Sequence, residues 1–353
     1  MDNYQPETIT IGQSQGRISY FDWIRGTMIL WMLIYHISLN YGRVTFGVPE
    51  DGASVFTVMS FFMATFYVGT GFFFSCKKDF KSFLRDKVRK IGIPYITFSI
   101  WGIIVFESYS LIAEGHFGDL NLIKGTITTG AIRANGPLWF LFSLFFCNIF
   151  YYLIGKVGGG YKNLAVFFCI IIACLTHNRA QIFGYGNILL GLSFIHMGFL
   201  LRKHKETLNR WYLAIPAFLA YLSIAIFLPQ RLEFVRNRLV QGNWVLNYVY
   251  TVLACFLMWY ISQLWKHKNI IGKCIIYLGR YSLVIFAFHR PVLNWVIEPI
   301  LRYLDPSISY FGFLTISLVS LLLLFLLLNY VMRRYLPGLL GLQTSSAATA
   351  LEI

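Results

Sequence analysis

The chain alternates long apolar runs with short clusters of charged, Gly or Asn residues. Its first apolar run covers residues 20–40 and its last covers residues 311–335, and each matches the roughly 20 helical residues that cross a hydrocarbon core. Ten such segments begin near Tyr20, Ser54, Ile91, Pro137, Leu164, Tyr185, Trp211, Trp244, Tyr281 and Phe311. The pattern predicts an all-α, polytopic integral membrane protein with about ten transmembrane helices.

The distribution of Lys and Arg over the connections favours ten spans rather than nine. The weakest segment, residues 164–176, is short for a span unless it recruits residues 157–161 across a Gly-Gly-Gly sequence. With ten spans and a cytoplasmic N-terminus, twenty cations fall inside and eight outside, as the positive-inside rule requires. We therefore predict a cytoplasmic N-terminal segment (1–19), a membrane domain (20–335) and a cytoplasmic C-terminal tail (336–353).

Composition agrees with a membrane protein. Hydrophobic residues make up 57% of the chain, charged residues only 13%, and the mean hydropathy is +0.61, which excludes an ordinary soluble domain. The net charge of +15 does not indicate nucleic acid, because the cations are scattered over membrane-flanking connections without a basic groove. Anionic membrane lipids are the expected partners of these cations.

Several common chemistries have no support in the sequence. The six cysteines form no CxxC pair and are interpreted as reduced packing residues. The sequence has no phosphate-binding P-loop, HExxH or GxSxG motif, so neither metal-protease nor hydrolase-elbow chemistry is indicated, and no metal is expected.

Ionisable residues inside apolar spans are costly and often mark function. The first span carries three of them, Asp22, Arg25 and His36. Arg25 and His36 are eleven residues apart, hence roughly 20° from one helical face and about 16 Å apart along the axis. They can line one cavity for a long, two-ended ligand such as acyl-CoA. Alternatively, Asp22 and Arg25 simply pair while His36 bonds a neighbouring helix.

The ninth segment has a similar composition. Ser282 and His289 are seven residues apart and so share a helical face, and His289 is followed by Arg290 and a proline. A histidine satisfied within the protein core is the alternative for His289. The same alternative is stronger for His196 in the sixth span and for Glu107 in the third, which have no supporting neighbours in sequence.

Four sequence features, in order, resemble the acyltransferase-3 membrane proteins over residues 20–335, in particular the fucose 4-O-acetylase branch. Arg25 and His36 in a DWxRG context match the family's basic-residue and histidine signature in the first span. FYVGTGF followed by KVRKIGIPY, then NGPLWFL, then GRYSL with FAFHRPV resemble the later motifs. Thr70 stands where the family usually has Ser, and Lys90 where it usually has Arg.

This resemblance implies cytosolic acyl-CoA, usually acetyl-CoA, as donor and a carbohydrate hydroxyl as acceptor. It also implies a multi-pass protein of the bacterial cytoplasmic (inner) membrane. His36 is the expected base or transient acyl carrier, because a neutral imidazole can take the proton of a sugar hydroxyl. Asp22, Arg25, Ser282 and His289 complete the catalytic candidates.

Binding residues can be predicted for each substrate. The phosphates of CoA need cations, which the basic segment, defined as residues 77–90, supplies between spans two and three, besides Arg25. The contacts we expect are Lys87, Arg89 and Lys90. An anchor for lipid headgroups is the alternative, and the two roles are compatible. Asn135, Trp139 and Glu107 are the candidates for acceptor binding, with Asn135, Trp139 and Ser282 as possible oxyanion donors.

Two other classes of protein fit part of the pattern. A secondary transporter or glycan exporter would also have ten spans with intramembrane charges, but paired broken helices in two similar halves are not evident. A receptor or scaffold without chemistry would leave the arrangement of Arg25 and His36 unexplained. The connection of residues 114–136 is long, and it either folds back into the membrane as a lid over the acceptor or packs on the outer surface.

Overall fold

The computed structural model describes residues 19–46, 61–118, 122–157, 160–228, 231–233, 237–264, 269–305 and 307–342. Within these ranges the chain is almost entirely helical, which confirms the predicted all-α membrane fold. The α-helices are α1 (Ser19–Phe46), α2 (Phe62–Phe72), α3 (Phe80–Lys87), α4 (Ile93–Glu114), α5 (Leu122–Thr129), α6 (Trp139–Val157), α7 (Tyr161–Leu175), α8 (Tyr185–Lys203), α9 (Lys205–Leu208), α10 (Trp211–Phe227), α11 (Trp244–Leu264), α12 (Ile270–Arg280), α13 (Ser282–Val292), α14 (Glu298–Leu304) and α15 (Tyr310–Tyr335).

Shorter elements join these helices. Two π-helical turns, Val88–Gly92 and Leu293–Ile297, connect α3 to α4 and α13 to α14. Arg133–Leu138 forms a 3₁₀ segment before α6, and a second one, Pro337–Leu340, follows α15. Between α10 and α11, the strands β1 (Arg231–Glu233) and β2 (Arg238–Gln241) pair antiparallel, an exception to the otherwise helical fold.

A described helix lies at each of the ten segments predicted to cross the membrane. Five helical stretches are long and apolar enough to do so by length and composition: Phe80–Glu114, Gly125–Val157, Trp244–Leu264, Ser282–Leu304 and Tyr310–Tyr335. Helices α7 and α10 are shorter but apolar. The number of crossings and the cytoplasmic location of both termini stay predictions, and residues 1–18 and 343–353 lie outside the described part of the chain.

The helix α10 illustrates how the apolar surface is distributed. Phe218, Leu222 and Ile226 are spaced by four residues and are 48%, 39% and 60% exposed. Positions four apart share one face of a helix, so these side chains form an outward apolar stripe. Such a stripe would be unfavourable in water and is suited to lipid.

Glycines allow the helices at the centre to pack with their backbones in contact. A Cβ at Gly71 of α2 would clash with the carbonyl oxygen of Ile195, and one at Gly198 of α8 with the carbonyl oxygen of Val68. Small residues at such crossings are typical of membrane helices, where close van der Waals contact drives association. Because Gly71 lies near Ile195 and Gly198 near Val68, α2 and α8 run side by side.

The directions of the helices agree with the predicted topology. The start of α1 meets the end of α2, where the rings of Phe21 and Phe72 lie 4.6 Å apart, so these two helices are antiparallel. Three connections predicted to be outside are joined by backbone hydrogen bonds, from Gly184 to Thr128 (3.0 Å) and from Asn178 to Asn237 (3.1 Å). These connections therefore lie at the same end of the helix bundle.

Candidate active site

Two buried imidazoles meet between the first and ninth spans. His36 lies on α1 and His289 on α13, and their ring centroids are 5.0 Å apart with the planes tilted by 35°. His289 is only 1% exposed. The sequence named both residues but gave no reason to place them together, since they are 253 positions apart along the chain. We call His36 and His289 the histidine pair.

A guanidinium group adjoins the histidine pair. The Nη1 atom of Arg290 lies 3.4 Å from Nδ1 of His36 and donates to Oδ1 of Asn40 over 3.3 Å. Asn40 in turn donates through Nδ2 to Asn294 (2.7 Å) and to the buried carboxylate of Glu298 (2.7 Å). A polar network thus crosses from α1 to the ninth span, next to the imidazoles.

Sequence reasoning missed Asn40, Asn294 and Glu298. The signal was present, because Asn40 follows His36 by four residues, and Arg290, Asn294 and Glu298 are also spaced by four. Side chains four residues apart lie on one face of a helix. These two short polar stripes, each beginning at a residue that had been singled out, predict a shared polar face between two spans.

The hydrogen bonds of the two rings fix where their protons lie. A guanidinium only donates, so Nδ1 of His36 is an acceptor toward Arg290, and the proton of the neutral ring is on Nε2. A carbonyl only accepts, so His289 donates from Nδ1 to Phe286 over 2.6 Å, and its Nε2 carries the lone pair. This Nε2 is buried and has no hydrogen-bond partner among the described residues. His289 therefore offers an acceptor nitrogen to a ligand, whereas the acceptor nitrogen of His36 is in contact with Arg290.

A proline shapes the helix beneath the histidine pair. Pro291 has no N–H, so the carbonyl of Ala287, four residues earlier, loses its helical partner. The Nδ2 atom of Asn135 donates to that carbonyl over 3.0 Å and to the carbonyl of Phe98 over 3.1 Å. Gly102 leaves space for this approach, since a Cβ there would lie 2.7 Å from the Cβ of Asn135.

These contacts bear on the predicted role of Asn135. Both of its amide hydrogens are used by carbonyls, and the buried Oδ1 has no hydrogen-bond partner among the described residues. The remaining hydrogen-bonding capacity of Asn135 is therefore that of an acceptor, which suits a ligand hydroxyl and does not suit an oxyanion. Trp139 is buried at the start of α6, directly after the 3₁₀ segment that contains Asn135.

A second charged cluster lies at the other end of α1. Asp22 is 2% exposed and lies 3.6 Å from Nη1 of Arg25 and 4.0 Å from Nε of Arg280. The pairing of Asp22 with Arg25 that the sequence suggested is thus present, and Arg280 joins it. The side chains of Arg25 and Arg280 are 32% and 39% exposed, so part of each can be reached from outside the protein. We call Asp22, Arg25 and Arg280 the Asp22 cluster.

The predicted ninth span, which contains α13, runs parallel to α1 from the Asp22 cluster to the histidine pair. Arg280, just before α13, lies at Asp22, whereas Arg290 lies at His36 and Glu298 at Asn40. In the predicted topology, spans one and nine point the same way, as observed here. Ser282 begins α13 and is thus placed at the Asp22 end, about 10 Å along the helix from His289.

The basic segment forms α3 and the following π-helical turn. Asp79 caps α3 by accepting from the backbone N–H of Ser82 (2.9 Å), and this hydrogen bond holds the pKa of Asp79 below its ordinary value. Asp86 pairs with Lys78 and lies 3.7 Å from Nη2 of Arg89. Two acids thus stand among the segment's seven cations, and Lys90 is exposed.

Glu107, a candidate for acceptor binding, has one carboxylate oxygen bound to the backbone. Its Oε2 accepts from the backbone N–H of Gly118 over 2.9 Å, which ties the end of α4 to the connection that follows. Nδ1 of His196 and the hydroxyl of Tyr151 form a hydrogen bond of 3.0 Å, which agrees with a satisfied core histidine. Neither contact includes a member of the histidine pair.

A comparison with protein families identifies the group to which this architecture belongs. The acyltransferase-3 family model, described as an acyltransferase domain, matches residues 18–332. The chain belongs to the acyltransferase-3 family. It is therefore a multi-pass membrane acyltransferase, and the match spans both the Asp22 cluster and the histidine pair. No curated protein matches the chain.

A metal site would require several suitable ligands in one place. Within the described ranges, no group of three or more His, Cys, Asp or Glu side chains is arranged to hold a metal ion. The histidine pair has a guanidinium as its nearest charged neighbour, and a cation there is unfavourable for a second cation.

Proposed function

We propose that this acyltransferase-3 protein moves an acyl group, most simply acetyl, from cytosolic acyl-CoA to a hydroxyl of a carbohydrate. The proposal places it in the cytoplasmic membrane of a bacterium, acting on a cell-surface polysaccharide or a lipid-linked sugar. The observation that carries it is the meeting of His36, His289 and Arg290, which puts acceptor nitrogens and a fixed positive charge in one buried place.

The cluster suits attack of an alcohol on a thioester. A hydroxyl that donates to Nδ1 of His36 replaces Arg290 there, and the imidazole takes its proton as the oxygen attacks the thioester carbon. Arg290, released from the ring, lies beside the negative oxygen of the tetrahedral intermediate. Breaking the carbon–sulfur bond then gives the ester, and the imidazolium returns its proton to the CoA thiolate.

The acceptor nitrogens also favour a carbohydrate over a simple alcohol. A buried acceptor without a donor costs free energy, and a polyhydroxylated ligand brings several donors at neighbouring carbons. Nε2 of His289 is such an acceptor, in a ring 5.0 Å from that of His36. We propose that it holds a second hydroxyl of the sugar whose neighbour is acylated.

The Asp22 cluster supports binding of the donor. Arg25 and Arg280 are partly exposed, and guanidinium groups bind phosphate through paired hydrogen bonds. His36 lies eleven residues beyond Arg25, hence about 16 Å along α1. A pantetheine arm is long enough to bridge that distance, so the nucleotide would stay at the cytoplasmic end while the thioester reaches the histidine pair. The basic segment begins five residues after Phe72, whose ring packs on that of Phe21 at the same end of α1.

Acyl transfer can be tested on the purified full chain. With acetyl-CoA and a glycan acceptor, we expect free CoA thiol and acylated glycan to appear in equal amounts. The double variant His36→Gln with His289→Gln should lose both products while retaining the thermal unfolding profile of the wild type. Equal rates for the wild type and the folded double variant, or no thioester cleavage with any acceptor, would contradict the proposal.

A further inference from the structure

A second site lies at the end of the bundle that is predicted to face outward. An open cavity of about 670 Å³ is lined by α5 and by three connections, those between α5 and α6, between α7 and α8, and between α10 and α11. This volume falls within the range of about 300 to 1,000 Å³ that is usual for small-molecule sites. We call it the arginine cavity, because Arg133, Arg179 and Arg238 all line it.

The charge of the arginine cavity is one-sided. Each of the three connections contributes one guanidinium group, and none of the described residues that line the cavity has a carboxylate. Arg133 and Arg179 are exposed, and Arg238 is half-buried. Guanidinium groups bind carboxylate and phosphate through two parallel hydrogen bonds, so three of them around one space favour an anion.

Hydroxyl groups complement the arginines. Thr128 and Thr129 line the same cavity, and their hydroxyls donate to the carbonyl of Gly125 over 3.2 and 2.9 Å. With its hydrogen used, the hydroxyl oxygen of Thr129 can act only as an acceptor, which fits the hydroxyl of a ligand. The cavity thus combines donors for an anion with acceptors for hydroxyls, the two functional groups of an acidic sugar.

Hydrogen bonds between the connections hold the cavity in shape. Asn178 donates through its backbone to Asn237 (3.1 Å) and accepts at Oδ1 from the backbone of Leu239 (2.8 Å), which joins the second connection to the third. Asn237 is itself held by Ala173 (2.7 Å) and by the indole of Trp244 (2.9 Å). A site that is already ordered loses less entropy when it binds a ligand.

The wall of the arginine cavity leads toward the histidine pair. Ile132, Arg133 and Gly136 line the cavity and flank Asn135, whose amide binds the carbonyl of Ala287. Ala287 is two residues before His289 on α13. One short segment of the chain is therefore in contact with the cavity on one side and with the helix that carries the proposed chemistry on the other.

We propose that the arginine cavity binds the anionic group, a carboxylate or a phosphate, of an acidic saccharide. The binding of an acidic saccharide stands on the cavity alone, and its role as the acyl acceptor rests on the proposed function. The anion would anchor the sugar from outside while one of its hydroxyls extends toward the histidine pair. The cavity thereby selects charged saccharides over neutral ones.

Binding can be measured without turnover, by calorimetry on the purified full chain in neutral detergent with no acyl-CoA present. The probes are glucuronate, glucose 1-phosphate and glucose. We expect the two anionic sugars to bind and glucose not to bind. Replacing each arginine of the cavity by Gln should weaken binding of the anionic sugars by roughly 10- to 100-fold, the usual contribution of a charge-assisted contact.

Two sets of variants keep the result interpretable. Arg210→Gln removes an exposed arginine at the start of α10, outside the cavity, and should leave binding unchanged. Replacing Arg133, Arg179 and Arg238 together by Lys keeps the charge and should retain part of the affinity if the variant folds. Equal binding of glucose, or no effect of the three Gln substitutions, would overturn the proposal.

A separate experiment distinguishes a lipid headgroup from a saccharide as the ligand of the arginine cavity. In nanodiscs of phosphatidylcholine, glucuronate should bind as in detergent, and added phosphatidylglycerol should not displace it. Displacement that depends on the three arginines would identify a lipid headgroup as the ligand and overturn the saccharide proposal. If the protein transfers acyl groups only to neutral sugars, the proposed function stands and this inference is wrong. If anionic sugars bind but no acyl transfer occurs, binding at the arginine cavity stands and the proposed function is wrong.

Discussion

His36→Gln is the sharpest test of the histidine pair. Glutamine keeps a side-chain oxygen that can accept from Arg290, so the contact of 3.4 Å can be replaced. That contact is near the upper limit of hydrogen-bond length, and its loss would cost about 1 kcal/mol at most. Glutamine cannot take up a proton at neutral pH, so the variant removes the base and leaves most of the surrounding contacts.

The two effects differ enough in size to be separated. A positioned base contributes roughly 100- to 10,000-fold in rate, which corresponds to about 2.7 to 5.5 kcal/mol of activation free energy. We expect His36→Gln to lower kcat for CoA release by that factor with little change in the KM for acyl-CoA. The KM should hold because the Asp22 cluster lies about 16 Å away along α1.

The assay is the initial rate of thiol release at saturating acyl-CoA and acceptor, on protein whose thermal unfolding has been recorded. His196→Gln is the matched control, since it replaces another buried imidazole that is bound to Tyr151 rather than to the histidine pair. The wild type should lose activity on acidification, because an imidazolium accepts no proton, and the residual rate of His36→Gln should not. A wild-type rate in folded His36→Gln would refute the role of base.

Further predictions concern the side that is predicted to be cytoplasmic. Replacing Lys87, Arg89 and Lys90 by Gln should raise the KM for acyl-CoA more than it lowers kcat, because charge-assisted contacts to phosphate are worth about 1.5 to 3 kcal/mol each. Unchanged affinity of this variant for acyl-CoA would indicate that the basic segment is only a lipid anchor. A cysteine at Ser82 should resist an impermeant maleimide added to intact cells and react after lysis, and labelling from outside would refute the predicted topology.

Both of these experiments have controls within the chain. Lys203→Gln with Lys205→Gln changes exposed cations of another connection predicted to be cytoplasmic, and should leave the KM unchanged. A cysteine at Ala180, in a connection predicted to be outside and exposed in the structure, should react with the maleimide in intact cells.

Hydropathy predicted the helices well because each span must satisfy its own backbone hydrogen bonds within a single segment. The segment near Leu164 shows the limit of that signal. The structure begins α7 at Tyr161, three residues earlier, since an apolar stretch has no sharp edge where glycines precede it. The two short strands between α10 and α11 depend on pairing with each other, which hydropathy does not encode.

The site was only partly predictable for a related reason. Periodicity places residues on one face of one helix, and so it linked Arg25 to His36 and Ser282 to His289. It does not say which helices touch, and the structure pairs His36 with His289 while leaving Ser282 at the other end of the span.

The role of Asn135 depends on the same kind of tertiary information. Its two donor contacts exist because Pro291 leaves a carbonyl of α13 without a helical partner. The sequence shows that proline but not which side chain reaches the carbonyl. The sequence therefore allowed Asn135 to be an oxyanion donor, but its contacts do not favour that role.

Glycines of α1 and α12 at the Asp22 end of α1 fix the spacing between the two clusters. A Cβ at Gly26 would clash with the carbonyl oxygen of Ile275, and one at Gly279 with that of Asp22, so the backbones of α1 and α12 are in direct contact. Helices that touch in this way cannot slide without separating. The distance from Arg280, at the end of α12, to His36 is thus set by the fold, and an acyl carrier whose arm is too short to span it gains nothing from binding tightly at its charged end.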